Sequence, residues 1–162
     1  MSLTLQKALP EDKTILENLY SLYLHDLSLY SNSIEVSANG SFIYDDMSMI
    51  WNEEGVVPYF IQSGEKLAGF LLLLERPFLK KTSDYSINDI FILNTYRGKG
   101  LGQEVLKTLF DQKKGKYFVV ELERNKPAVI FWKKVYERLG ISYEERKELV
   151  DDEPCLIQTF EV

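Results

Sequence analysis

The chain has 162 residues, 45% of them hydrophobic and 13% aromatic, which suits one domain around a single core and argues against a disordered chain. A net charge of −6 disfavours nonspecific nucleic-acid binding, and no apolar run approaches the length of a membrane span. The lone cysteine, Cys155, cannot form an internal disulfide, and the N-terminus lacks the charged and apolar regions of a signal peptide, so a cytoplasmic location is expected.

Residues 3–8 place Leu3 and Leu5 in alternation with polar neighbours and predict a first strand. Pro10-Glu11-Asp12 starts a helix, with acidic side chains complementing its N-terminal dipole. Ile15, Leu16, Leu19, Tyr20, Tyr23, Leu24 and Leu27 follow at helical spacing as an inward stripe. His25 lies about 180° around that wheel from Leu16, so it faces either a cleft or solvent. Residues 28–42 read as a polar loop, and 44–51 as a short helix. Pro58 begins a strand to Gln62, which turns through Ser63-Gly64-Glu65 into a second strand over 67–74.

Residues 76–83 form a solvated connection to a strand at 84–93. A glycine-rich loop at 96–102 follows, then a helix to about Gln112 with Val105, Leu106, Leu109 and Phe110 inward. A strand at 117–122 leads to a helix with Pro127 in its first turn and Ala128, Phe131, Trp132, Val135 and Leu139 inward. Gly140 ends that helix. Residues 142–148 and 154–161 read as a final antiparallel pair turning through Asp151-Asp152, with Cys155 as a small buried residue. No repeat or linker divides the chain, so residues 1–162 are expected to be a single domain.

The run Tyr96-Arg97-Gly98-Lys99-Gly100-Leu101-Gly102 is the most informative local pattern. Strand, glycine loop and helix together make a phosphate site. The glycines let backbone N–H groups converge, and the helix N-terminus adds partial positive charge. Two better-known phosphate loops do not fit. No Ser or Thr follows Lys99 as the Walker pattern needs, and the spacing is G-x-G-x-G where the dinucleotide fingerprint needs G-x-G-x-x-G. Charge supports an anionic guest: residues 97–116 carry six basic side chains against Glu104 and Asp111.

Arg97-Gly98-Lys99-Gly100-Leu101-Gly102 resembles the Arg/Gln-x-x-Gly-x-Gly motif of the GCN5-related N-acetyltransferases. About 23 residues further on, Asn125-Lys126-Pro127-Ala128 resembles that family's Asn-x-x-Ala element. The order β-α-α-β-β-β-α-β-α-β-β is also the family's. The resemblance implies an α/β (α+β) fold, with a mixed, mostly antiparallel sheet of about six to seven strands flanked by about four helices. It implies a sheet splayed open between the strands at 84–93 and 117–122, with the pantetheine arm of acetyl-coenzyme A in the split and no metal.

By the same resemblance, backbone near Ile92 and Leu93 would pair with that arm, and the Ile92 N–H would polarise the thioester carbonyl. Arg97, Gly98, Lys99, Gly100, Leu101, Gly102 and Gln103 would hold the diphosphate. Asn125 would bond the arm, and Lys133 or Lys134 would reach the nucleotide end. Asp89 stands on the strand where many relatives carry a Glu and is the first candidate for general base; His25 is a second. The family's general-acid tyrosine, seven residues after the Asn, falls on Trp132. An indole has no usable proton to give, so Trp132 is grouped with the cofactor-binding residues and Tyr136, one turn later, becomes the candidate acid. The expected acceptor is a primary amine on a small molecule. A protein or peptide acceptor, and a non-catalytic sensor of acyl-coenzyme A, are the alternatives. Monomer and homodimer both stay open.

Overall fold

The computed structural model describes residues 2–42, 47–80 and 82–162. One seven-stranded sheet organises them, in the order β1 (Thr4–Lys7), β2 (Val56–Ser63), β3 (Lys66–Glu75), β4 (Tyr85–Ile92), β5 (Lys116–Leu122), β7 (Glu153–Glu161), β6 (Tyr143–Val150). Every neighbouring pair is antiparallel except β4 and β5. Helices α1 (Lys13–Leu27) and α2 (Met47–Asn52) cover one face, while α3 (Leu101–Gln112) and α4 (Lys126–Leu139) cover the other. The expected fold class, sheet and helix number are those observed. For the short helix expected over 44–51, the part before Met47 lies outside the described residues.

β3 is the sheet's central apolar rod. Phe70, Leu72 and Leu74 pack toward α1 and α2, Ala68, Leu71 and Leu73 toward α3 and α4, and all are buried. Coverage on both faces accounts for the unbroken apolar run in its sequence. The β6–β7 hairpin turns through Asp151 and Asp152, both at positive φ, a backbone region that Asp tolerates better than most residues.

Two inward stripes differ from expectation. Ile15 is 41% exposed: α1 presents Leu16, Leu19, Tyr20 and Leu24 to the sheet, and Ile15 is one residue off that line. On α4 the buried line is Val129, Trp132, Val135 and Tyr136, which turns Ala128 and Phe131 toward the neighbouring cleft.

α4 covers an unusual carboxyl. Glu121 on β5 is 6% exposed, and neither of its oxygens makes a hydrogen bond of ordinary geometry among the described residues. The adjacent Gln158 is already engaged, its Oε1 accepting from the Tyr136 hydroxyl at 2.7 Å and its Nε2 donating to Glu145 at 2.9 Å. Burial, reinforced by the Glu145 charge and opposed by Lys133, pushes Glu121 up to about 8. A carboxyl raised in the folded state stabilises fully below its unfolded value of 4.5 and loses that contribution as pH rises through about 8. Glu121→Gln removes the titration. The variant's thermal midpoint relative to wild type should therefore rise by about 2–8 °C between pH 5 and pH 9. An offset equal at both pH values would show that the carboxyl is not held neutral.

Candidate active site

β4 and β5 meet only at Tyr85–Tyr117 and Ser86–Phe118 and then part. The reason lies in β4. Its register against β3 skips a residue at Asn88, since Leu72 faces Asp89 and Leu73 faces Ile87. Such a bulge bends a strand and increases its twist. Beyond it β4 stays with β3 as far as Ile92, while β5 is paired along its whole length with β7. Because the Leu93 N–H donates to the Ala68 carbonyl at 2.7 Å, alternation turns the N–H and C=O of Ile90 and Ile92 away from β3, into the gap.

Gly69 holds this edge close. A Cβ on Gly69 would collide with the Phe91 carbonyl, so only glycine lets β3 approach β4 opposite Ile92.

Above the gap, one 3-10 turn (Asn94–Tyr96) delivers the chain to Gly98 and Gly100, both at φ +74°. Gly100 is the N-cap of α3 and offers no capping side chain. The N–H groups of the first helical turn therefore have no intrahelical acceptor and remain available to an external anion. Leu101, Gly102 and Gln103 line the cleft at this point. A Cβ on Gly102 would come within 2.9 Å of the Phe131 ring, so this glycine sets how closely α4 approaches α3.

The cleft has a volume of about 1070 Å³ and is walled by the end of α1 with the loop after it, by β4, by the glycine loop and by α4. It gathers His25, Ile92, Arg97, Gly98, Gly100, Leu101, Gly102, Gln103, Asn125 and Trp132 of the residues proposed from sequence. Asn125 also caps α4, its Oδ1 accepting from the Ala128 N–H at 3.2 Å. Of the two lysines, Lys134 lines the cleft and Lys133 pairs with Glu145 at 3.8 Å.

Four candidates stand apart from the cleft. Leu93 packs into the core under α1, and Lys99 is exposed. Tyr136 is 1% exposed with its hydroxyl committed to Gln158, and burial pushes its phenol far above the ordinary range. Asp89 is buried behind the cleft wall. Its Oδ2 accepts from the Tyr20 hydroxyl at 2.8 Å and Asn88 Nδ2 at 3.0 Å, and its Oδ1 from the Tyr23 hydroxyl at 2.8 Å. Burial raises the pKa of Asp89 against the opposing pull of those three donors. Tyr23 itself lines the cleft, so Asp89 reaches the cleft through a phenol.

The lining residues not proposed as site residues from sequence include Tyr23 as a polar group, Asp26 and Arg138. Arg138 Nη1 donates to Gln103 Oε1 at 2.8 Å and lies 3.7 Å from the position of a Cβ on Gly100, bringing a cation to the glycine loop. No local pattern marks it, because it is three turns along α4.

A model of the acetyltransferase (GNAT) family matches residues 16–140. The chain belongs to this family. No curated protein matches it. Among solved structures, an acetyltransferase from Thermus thermophilus has a TM-score of 0.74 at 15% identity, covering 100% of this chain and 98% of that one. An N-acetyltransferase from Staphylococcus aureus Mu50 has a TM-score of 0.65 at 16% identity, covering 96% and 99%. Arabidopsis thaliana NAA60, in complex with acetyl-CoA, has a TM-score of 0.61 at 13% identity, covering 99% of both chains. At these identities the likeness is one of fold. In this GNAT domain, Gly69→Ala must push β4 aside at Phe91 and Ile92. It should lower stability by about 1–3 kcal/mol in urea titration; an unchanged midpoint would show that the β3–β4 edge yields freely.

Proposed function

We propose that the protein transfers the acetyl group of acetyl-coenzyme A directly to a primary amine of a small molecule, in the cytoplasm. The observation that carries this reading is the gap between β4 and β5, with the Ile90 and Ile92 backbone groups turned into it beneath a glycine loop that opens α3. An extended amide-bearing arm fits that gap as an added strand, and a diphosphate fits the free N–H groups of the loop. Arg138, Gln103 and Lys134 extend the polar wall on the α4 side. When bound, acetyl-coenzyme A supplies an activated acyl group as a thioester.

The protein's part is to place and polarise. The Ile92 N–H, turned into the gap, would donate to the thioester carbonyl oxygen and polarise it. An alkylammonium of pKa about 10.4 is only about one part in 2,500 neutral at pH 7, a deficit of about 4.6 kcal/mol, so proton removal matters. Tyr23 is placed to take that proton while passing its own to Asp89 Oδ1, and burial makes Asp89 a stronger base than an exposed carboxyl. His25, on the same wall, offers a second route for the proton.

The leaving thiolate needs no acid partner, because a thiol of pKa about 8.5 departs tolerably well. Trp132 in the usual tyrosine position, with Tyr136 committed to Gln158, favours a second reading, a non-catalytic module that senses acyl-coenzyme A.

Thiol release from acetyl-coenzyme A across diamines, aminoglycosides, amino acids and peptides separates these readings. Turnover with small amines is expected; turnover with peptides alone would change the acceptor class. Thermal stabilisation by the cofactor without any turnover would favour the sensor. Gly100→Asp, which sets a carboxylate against the diphosphate, should abolish coenzyme A binding in calorimetry, and retained affinity would remove the loop from the reading. Tyr23→Phe and Asp89→Asn should each lower kcat about 100-fold, and together little further, because they interrupt one relay. Fully additive losses would show two separate roles.

A further inference from the structure

Arg97 makes two polar contacts at once across the mouth of the cleft. Its Nη2 is 2.8 Å from Asp26 Oδ2, on the last turn of α1, and its Nε donates to the Ile92 carbonyl at the end of β4. The guanidinium also lies over the Phe91 ring, 5.3 Å from its centroid. One side chain of the glycine loop thus ties α1 to β4 and occupies a carbonyl that faces the gap. Both ends of the ion pair are about half exposed, at 44% and 48%, so water weakens it. A diphosphate entering the loop offers the guanidinium more charge and bidentate geometry than this single carboxylate does.

Asp26 has a second distinction. Among the described residues lining the cleft it is the one carboxylate, set against Arg97, Lys134 and Arg138. The C-terminal end of α1 adds partial negative charge beside it. Asp89, the other acid of this region, is sealed behind Tyr23 and cannot meet a ligand directly. A cationic acceptor entering so basic a cleft has Asp26 as its counter-charge, once Arg97 has let go.

The geometry points to a hand-over: the cofactor's diphosphate draws Arg97 off Asp26, and the freed carboxylate seats an ammonium group of the acceptor. This rests on the cofactor reading above and deepens it. The nitrogen that reacts must be neutral, so the ammonium on Asp26 is a second one, and the acceptor class is a diamine or polyamine. By linkage, each ligand strengthens the binding of the other by the same factor.

Calorimetry with coenzyme A, 1,4-diaminobutane, spermidine and the monocation 1-butylamine tests this. The two polycations should bind the coenzyme A-loaded wild type about tenfold more tightly than the unloaded protein, and 1-butylamine should gain less. Asp26→Asn should lose that gain and bind coenzyme A about two- to five-fold more tightly, since no exposed pair has to open. Arg97→Gln, unloaded, should bind the polycations as tightly as loaded wild type. Polycation binding that is absent, indifferent to coenzyme A, or still enhanced in Asp26→Asn overturns the hand-over while leaving acetyl transfer standing. Absence of coenzyme A binding to wild type overturns both.

Discussion

Backbone hydrogen bonding at one strand edge organises the molecule. β4 pairs with β3 on both sides of the bulge at Asn88, yet it shares only its first two rungs with β5 because that bulge bends it away. A sheet that parts in its interior leaves peptide groups without a neighbouring strand, and burying such groups unpaired is costly. The fold tolerates the gap because it opens to a cleft where an extended ligand can take the missing strand's place. The same parting brings the carboxyl ends of two parallel strands and the N-terminus of α3 to one rim, where ligands of α/β sheets commonly bind. The two cores on either face, and the stiff apolar β3 between them, keep that gap from closing.

Charge is distributed to match. The glycine loop has no capping side chain of its own, and Arg138 reaches it from the far end of α4. Acidic groups have opposite fates on the two sides of the sheet. Asp89 is buried but accepts three hydrogen bonds, from Tyr20, Tyr23 and Asn88. Glu121 is buried under α4 and Gln158 leaves it little, so burial raises its pKa. Asp26 alone among the described carboxyls meets the cleft, and it is already engaged by Arg97.

That engagement gives the site an internal order. A guanidinium bridges Asp26 and the Ile92 carbonyl across the mouth of the cleft, and in the proposed hand-over these are the contacts a diphosphate would replace. The exposed ion pair is worth about 0.2–1 kcal/mol, small enough for a diphosphate to displace.

Whatever depends on near neighbours along the chain is readable from the order of residues. Strand and helix periods, the glycine loop and its following helix, the N-cap Asn125 and the Asp151-Asp152 turn are set by backbone sterics and hydrogen bonding within a few residues. The loop was legible for that reason, as was the element order once the loop and Asn125 were read together. Packing alone fixes where side chains from distant segments converge. Asp89 lies one position before Ile90, whose peptide groups face the gap, and its side chain is sealed off by two tyrosines of α1. The α4 stripe is rotated enough to make Tyr136 a core residue tied to Gln158 and to present Phe131 and Arg138 to the cleft. Asp26 and Arg97 are 71 residues apart in the chain. No local pattern encodes such a pairing, because it depends on how α1 packs over the sheet.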